Sequence, residues 1–400
     1  MNVLAVSELW PPASGTFVFE QIKALAPFVS ITVAVLIPHT PQLPLYRTPH
    51  ANVTSPVRMP ELDASVEIYY LPYQTIPELG KYLNSLQARR VLARFLNQHK
   101  GRFDLIHAHF AYVAGFAAVS AGRHAGIPVL VTAYGSDINV YTRHNPRNLA
   151  AARFTVWGLR NAAAITALSE DLKKKIAAFG IPDHRITVLP PGIRQNIFFP
   201  RGEKRPLRRQ LQLPENNELF LFVGNLVAVK GIEFLLEAFA RRQRSLAKPA
   251  TLALVGSGVL EQTLKQRAKA LGLDSHIVWQ EKKAHAEIPL WMSAADFLIL
   301  PSLSEGYGLV LLESLACGTP VIASRVGGVP EILISPDFGP MVPPRDSAAL
   351  AQAMIEAAAK KWDAQKLVNY AHQHTWTERA QRYLKVYRRV LEQRPASSGR

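Results

Sequence analysis

Residues 301–321 read PSLSEGYGLVLLESLACGTPV. They follow the apolar run DFLILP and lead into PVIAS, two short segments that read as strands. Between them, Gly306-Tyr307-Gly308 makes a turn. Leu309, Val310, Leu311, Leu312, Leu315 and Ala316 then cover a helix on nearly every side, so that helix is expected to be buried. A strand, a turn, a buried helix and a further strand form a parallel βαβ unit, and this unit decides the fold class. Two carboxylates interrupt it. Glu305 stands in the turn, where a sugar's hydroxyls could be held, and Glu313 stands inside the apolar helix, where an unpaired charge is costly. Three environments would satisfy Glu313: a solvent gap, a basic neighbour such as Arg325, or two hydrogen bonds from a sugar diol such as ribose.

The same alternation of strand and helix runs outward in both directions. Downstream of residue 217, LFLFVG, TLALVG and HIVWQ join DFLILP and PVIAS as strands separated by helical patterns. Upstream, VLAV, ITVAVLI, DLIHAH, PVLVTA, AAITAL and ITVLP form a second series, with helical patterns such as FVFEQIKALA between them. Two series of this kind predict an α/β protein of two doubly wound parallel-sheet domains. The Pro- and Arg-rich stretch over 191–216 reads as a linker, giving domains over 1–190 and 217–375. The segment from Pro38 to Met59 holds five prolines and reads as a loop. An amphipathic basic helix is expected to end at Glu392, and residues 393–400 read as a disordered tail.

Ligands of open parallel sheets collect at the carboxyl ends of strands, and glycines recur there. Gly15 follows the first strand, Gly224, Lys230 and Gly231 follow LFLFVG, Gly256 and Gly258 follow TLALVG, and Gly306 and Gly308 follow DFLILP. Each lets bare backbone approach a ligand and point amides at an anion. Four such turns, one carrying a lysine, predict a phosphate site. With ribose on one glutamate and a sugar beside the other, the ligand described is a nucleotide-sugar.

Bulk properties set the frame. Four hundred residues suit two cores better than one, and a 48% hydrophobic content is ordinary for a globular protein. The single cysteine, Cys317, excludes an intrachain disulfide and fits a reducing cytosol. No run reads as a signal peptide or a membrane-spanning helix, so a cytoplasmic location is expected. The net charge of +16 is shared evenly by the two halves of the chain. It fits a solvated surface, an anionic substrate or an anionic membrane; no helix-turn-helix spacing, zinc-ligand set or aromatic RNA-binding motif supports nucleic acid. The helical stretch GKYLNSLQARRVLARFLNQHKGRFD, with Lys81, Arg89, Arg90, Arg94, Lys100 and Arg102, could lie on anionic lipid at the inner face of the plasma membrane or be a solvated face.

The stretch PSLSEGYGLVLLESLACGTPVIASRVGGVPEI resembles the signature of glycosyltransferase family 4, the glycosyl transferases group 1: retaining enzymes of the GT-B fold with two Rossmann-like domains facing across a cleft. Upstream of it, DLIHAHF, TAYGSD, ALSEDLKKKI, PPGIRQNIFFP, FVGNLVAVKG and ALVGSG occur in the order expected, and the GTF start resembles exopolysaccharide and capsule assembly members. The resemblance implies that residues 1–190 serve the acceptor and 217–375 the nucleotide-sugar, with a helix over 376–392 crossing back to the first domain. It implies Glu313 on the ribose, Glu305 on the donor sugar, and Lys230 on the diphosphate. The amides around Gly306, Tyr307, Gly308, Leu309 and Gly15 would meet the donor, Lys282 would border the base, and Asp137 would lie by the catalytic cleft. Two positions depart from the family. Asn225 stands where an arginine is usual, and Asn cannot replace its charge. Tyr134 stands where a histidine usually touches the donor sugar. The catalytic set expected is thus Glu305, Lys230, Asp137 and Tyr134, the donor set adds Asn225 and Gly256, and His107 and His109 are candidates for the acceptor side or for plain strand-end residues.

No Asp-x-Asp pair occurs, and the family reading needs neither metal nor other cofactor. The activity expected is transfer of a hexose from a UDP- or GDP-sugar to a glycan or lipid-linked hydroxyl in cell-surface polysaccharide synthesis. The alternatives are a nucleotide-sugar epimerase of the same fold and a catalytically weak nucleotide-sugar-binding relative. A Rossmann oxidoreductase is disfavoured, because SELWPPASG after the first strand lacks a close Gly-x-Gly-x-x-Gly.

Overall fold

The computed structural model describes residues 1–10, 16–39, 56–75, 80–139, 149–245 and 248–393, the side chains of 80–83 excepted. The chain divides into two units, one of residues 1–192 and 376–400, the other of residues 193–375.

The first unit carries β1 (Asn2–Ser7), β2 (Ser30–His39), β3 (Glu67–Gln74), β4 (Leu105–His109), β5 (Val129–Ala133), β6 (Ala164–Ala167) and β7 (Ile186–Val188). They form one parallel sheet in the order β3-β2-β1-β4-β5-β6-β7. β1 beyond Asn2, β4, β5 and β6 are buried on both faces, as strands covered by helices on both sides must be. β3 escaped the sequence reading because EIYYLPYQ contains Pro72. A proline is tolerated here because β3 is the sheet's edge strand. The helix Trp376–Glu392 belongs to this unit: Ala380, Tyr383, Leu384, Val386, Tyr387 and Val390 enter the core with Val3, Val33, Leu105 and Leu130. Full burial of side chains of this size stabilises by about 1.5–3 kcal/mol each, so the helix is held by packing.

The second unit carries β8 (Glu218–Val223), β9 (Ala250–Val255), β10 (Ile277–Gln280), β11 (Phe297–Leu300), β12 (Val321–Ser324) and the two-residue β13 (Met341–Val342). The order is β10-β9-β8-β11-β12-β13, again all parallel. Strand order reverses between β8 and β11, so the loops leaving these two strands are neighbours. That switch point is where a doubly wound sheet leaves room for a ligand.

The linker expected over 191–216 is corrected by the structure. Residues from Ile193 onward pack into the second unit, and 204–210 form a helix. Its Arg208, 5% exposed, pairs with Asp296 at 2.6 Å and donates to the carbonyls of Ala294, Glu215 and Asn217. The basic composition that suggested a linker is partly consumed in this internal pairing. At the unit's boundary Ile193 forms a parallel bridge with Thr375, and its amide donates to the His374 carbonyl at 2.8 Å. Among the described residues no helix is long and apolar enough to cross a membrane. The Pro38–Met59 loop lies largely outside the described residues, as does the tail beyond Gln393.

Candidate active site

The two loops at the switch point of the second sheet are laced together. The Leu303 amide donates to the Val229 carbonyl at 2.8 Å, which brings the Lys230 turn against the Glu305 turn. Lys230 Nζ lies 2.5 Å from Glu305 Oε1, and the Ser302 hydroxyl donates to the same oxygen at 2.6 Å. Ser302 is fully buried, so a hydroxyl fixed in the protein interior and the Lys230 ammonium hold the same carboxylate oxygen. Gly308, at φ +92°, then turns the chain into the helix Leu309–Ala316, a backbone region that favours glycine. A cation, a carboxylate and a helix start are thus gathered at one strand end. Behind the turn, Gly327 sits at φ +52° with its Cα against the Glu305 main chain; a Cβ there would lie 1.9 Å from the Glu305 carbonyl oxygen.

Glu313 projects from the same helix and is 7% exposed, among Leu311, Leu312, Leu315 and Ala316. Burial pushes its carboxyl up to about 7, against the pull of the Arg194 charge. The basic neighbour that meets it is not Arg325 but His285, whose Nε2 lies 3.0 Å from Glu313 Oε1. Arg194 in turn hydrogen-bonds His285 Nδ1.

In the first unit, Asp137 is 2% exposed and its two oxygens accept from three amides: Ala111 at 2.7 Å, Tyr134 at 3.0 Å and Gly135 at 2.9 Å. Burial raises its pKa, and the amides oppose the rise. These contacts tie the loop after β5 to the turn after β4, where Phe110 and Val113 hold positive φ of 77° and 42°. Asp137 is therefore a brace on a strained turn. His107 and His109, successive same-face residues of β4, are fully enclosed. His107 meets Tyr387 and Thr132, both at 2.7 Å, and burial drives its pKa well down. His109 meets the Tyr134 hydroxyl at 2.8 Å, and burial lowers its pKa to about 3. Both are neutral internal hydrogen-bond partners. The acceptor-side expectation for them gives way to the strand-end one, since neither presents surface to a ligand.

Two family models match the chain: "Glycosyltransferase Family 4" over residues 14–196 and "Glycosyl transferases group 1" over residues 203–374. A Bacillus subtilis (strain 168) protein assigned to teichuronic acid biosynthesis, the glycosyltransferase TuaC, is 30% identical over 394 residues, covering 94% of this chain and 90% of that one. The chain is a group 1 glycosyltransferase. A D-inositol 3-phosphate glycosyltransferase of Nocardiopsis dassonvillei is 31% identical over 72% of this chain and 70% of its own. Among solved structures, sucrose-phosphate synthase of Thermosynechococcus elongatus aligns with a TM-score of 0.82 at 21% identity, over 98% of this chain and 100% of that one. HepE of Anabaena, in complex with UDP, aligns at 0.75 and 21% identity, over 97% and 100%. These likenesses and the two parallel sheets establish the GT-B fold.

In this glycosyltransferase the remaining donor candidates, Gly15 excepted, lie in the second unit. Asn225 is exposed in the β8 loop that carries Lys230, and Gly256 ends β9 beside it. Lys282 is exposed in the loop after β10, three residues before His285. Gly306 is half-buried, Tyr307 is buried and Leu309 opens the helix. Gly15 lies outside the described residues. Tyr134 is packed between Phe17 and Phe110, with ring centroids 4.7 and 4.6 Å away. Sequence reasoning missed Ser302, Gly327, His285 and Arg194. Ser302 stands three residues before Glu305, and Gly327 stands in the quoted signature. No spacing rule links Arg194, His285 and Glu313, which meet only through the tertiary fold. It also missed Glu8 at the end of β1, whose carboxyl burial pushes up to about 8 while the Tyr73 hydroxyl donates to it at 3.1 Å.

Proposed function

We propose that this glycosyltransferase moves a hexose from a UDP- or GDP-sugar to a hydroxyl of a glycan or lipid-linked acceptor in cell-surface polysaccharide synthesis, with retention of anomeric configuration and without a metal. The observation that carries the reading is the Lys230–Glu305–Ser302 cluster at the switch point, next to the start of the helix bearing Glu313. The TuaC relative supports the polysaccharide setting, and the UDP complex of HepE supports a nucleotide donor.

In this reading Glu313 accepts the ribose hydroxyls and Glu305 accepts from hydroxyls of the donor sugar. As the anomeric C–O bond breaks, charge grows on the departing phosphate oxygen. The Lys230 ammonium and the positive end of the helix Leu309–Ala316 stabilise that charge, the kind of interaction that strengthens as the transition state forms. The acceptor oxygen bonds to the anomeric carbon from the leaving group's face, and its proton passes to the departing phosphate oxygen. Glu305 positions the sugar and forms no covalent bond. The exposed arginines 89, 90 and 94 of the helix Gly80–Gln98 support peripheral attachment to an anionic leaflet.

A panel of UDP- and GDP-sugars, scored for slow hydrolysis and for transfer, tests the reading. Activity is expected to persist in EDTA, the product anomer to match the donor's by NMR, and Glu305→Gln to lose at least about 100-fold in turnover. Unchanged turnover and donor affinity in Glu305→Gln refutes the role of Glu305. Vesicle co-sedimentation independent of anionic lipid refutes the membrane contact.

A further inference from the structure

Glu313 is the only charged residue of its helix, which is apolar but for Ser314, and a carboxylate that reads two hydroxyls must present its plane in one orientation. Neighbouring leucines exclude water but supply no polar contact to set that orientation. The structure provides it through a chain of three residues. A guanidinium only donates, so Arg194 leaves His285 Nδ1 as the acceptor and puts the ring proton on Nε2. That N–H points at Glu313 Oε1, 3.0 Å away. The His285 ring is also pinned against fully buried Phe198, edge to face at 4.9 Å. One lone pair of Oε1 is used, and the rest of the carboxylate remains available to a diol.

We infer that His285, braced by Arg194, is the positioning residue that makes Glu313 discriminate ribose from 2′-deoxyribose in the donor nucleotide. The inference rests on the reading of Glu313 as the ribose acceptor. With His285 in place, two donated hydrogen bonds from a cis diol find a fixed carboxylate. Without it, the carboxylate turns about its terminal torsion and one hydroxyl serves nearly as well as two. Hydrogen bonds to an ionised group are worth about 1.5–3 kcal/mol each, so loss of one corresponds to about 10- to 150-fold in affinity.

Protonation bears on the same contact. The charged and titratable groups that face Glu313 are His285, Arg194 and, at the end of its own helix, Cys317, whose thiol burial pushes up to about 12 and keeps neutral. Glu313 itself is raised to about 7, so its carboxylate form is depleted as pH falls through that value. Affinity for the ribonucleotide is expected to fall on that side, with much less change for the deoxynucleotide. Removal of the Arg194 charge is expected to move the midpoint up.

The test is calorimetric titration of the full-length protein with UDP, GDP and their 2′-deoxy forms. The wild type is expected to prefer the ribonucleotide by at least about 10-fold. His285→Ala is expected to bring the ratio near one while deoxynucleotide affinity moves less than about 3-fold. His285→Gln, whose amide can donate to Glu313 and accept from Arg194, restores most of the preference, and Arg194→Met lowers it in a second, independent variant. A preference abolished by Glu313→Ala but intact in both His285→Ala and Arg194→Met overturns the inference and leaves the ribose reading standing. A wild-type ratio near one, or a preference that survives Glu313→Ala, overturns the ribose reading and the inference with it.

Discussion

Substitution of Gly327 by alanine puts the Glu305 turn under a load that the geometry sizes. The new Cβ would fall 1.9 Å from the Glu305 carbonyl oxygen, whereas real Cβ atoms essentially never come within 3.0 Å of a neighbour. The two must separate by about 1.1 Å, and the oxygen belongs to main chain, which has no rotamer through which to yield. The left-handed φ of +52° adds about 1–2 kcal/mol for any residue with a side chain. Catalytic groups tolerate about 0.5 Å of displacement, and a misplacement of about 1 Å costs about 100-fold. Gly327→Ala is therefore expected to lower kcat about 10- to 100-fold, depending on how the shift is divided between the two loops. The melting temperature should fall by about 2–8 °C. Initial rates at saturating donor, with circular dichroism melts of the same preparations, measure both. A variant that melts lower but keeps kcat within about 3-fold of wild type would refute the link between this turn and turnover.

Lys230→Met removes the cation beside Glu305 and is expected to cut kcat/KM about 100- to 1,000-fold, as loss of a charge-stabilising donor usually does; steady-state kinetics measures it. Ser302→Ala deletes the 2.6 Å bond to Glu305 and should reduce turnover about 10-fold with the fold intact, read from rates and melts together. Asp137→Asn turns an acceptor of three amides into a group with one acceptor oxygen. It should lose about 2–3 kcal/mol in urea unfolding, and equal stability would show that the strained turn after β4 needs no brace. The Asp137 pKa is raised in the folded state, so its burial penalty is absent below the ordinary carboxylate range and grows as pH rises. Asp137→Asn should therefore cost more relative to wild type at pH 4 than at pH 7.

The architecture was legible because parallel strands buried on both faces leave short apolar runs, and eleven of these matched strands of the two sheets. β3 was hidden by Pro72, and β13 is too short to leave a pattern. The stretch over 193–216 was misread because composition registers prolines and arginines but not the Asp296 that draws Arg208 inward. Within the site, Lys230 and Glu305 were legible because each follows a strand end, and strand order makes those ends adjacent. The partners of Glu313 were not, because 28 and 119 residues separate it from His285 and Arg194. His107 and His109 were ambiguous for a simpler reason: their two-residue spacing fixes a shared face, and only the helix Trp376–Glu392 with Tyr387 determines that the face is closed.

The bridge between Ile193 and Thr375 means that the second unit begins and stops at nearly one point. It is topologically a cassette, with a single seam where both junctions can be cut and rejoined. A corresponding cassette from a related enzyme could be spliced in at 192/193 and 375/376 without rerouting either sheet. Under the proposed function, donor preference is expected to travel with that one transplant while the sequence of the first unit stays untouched.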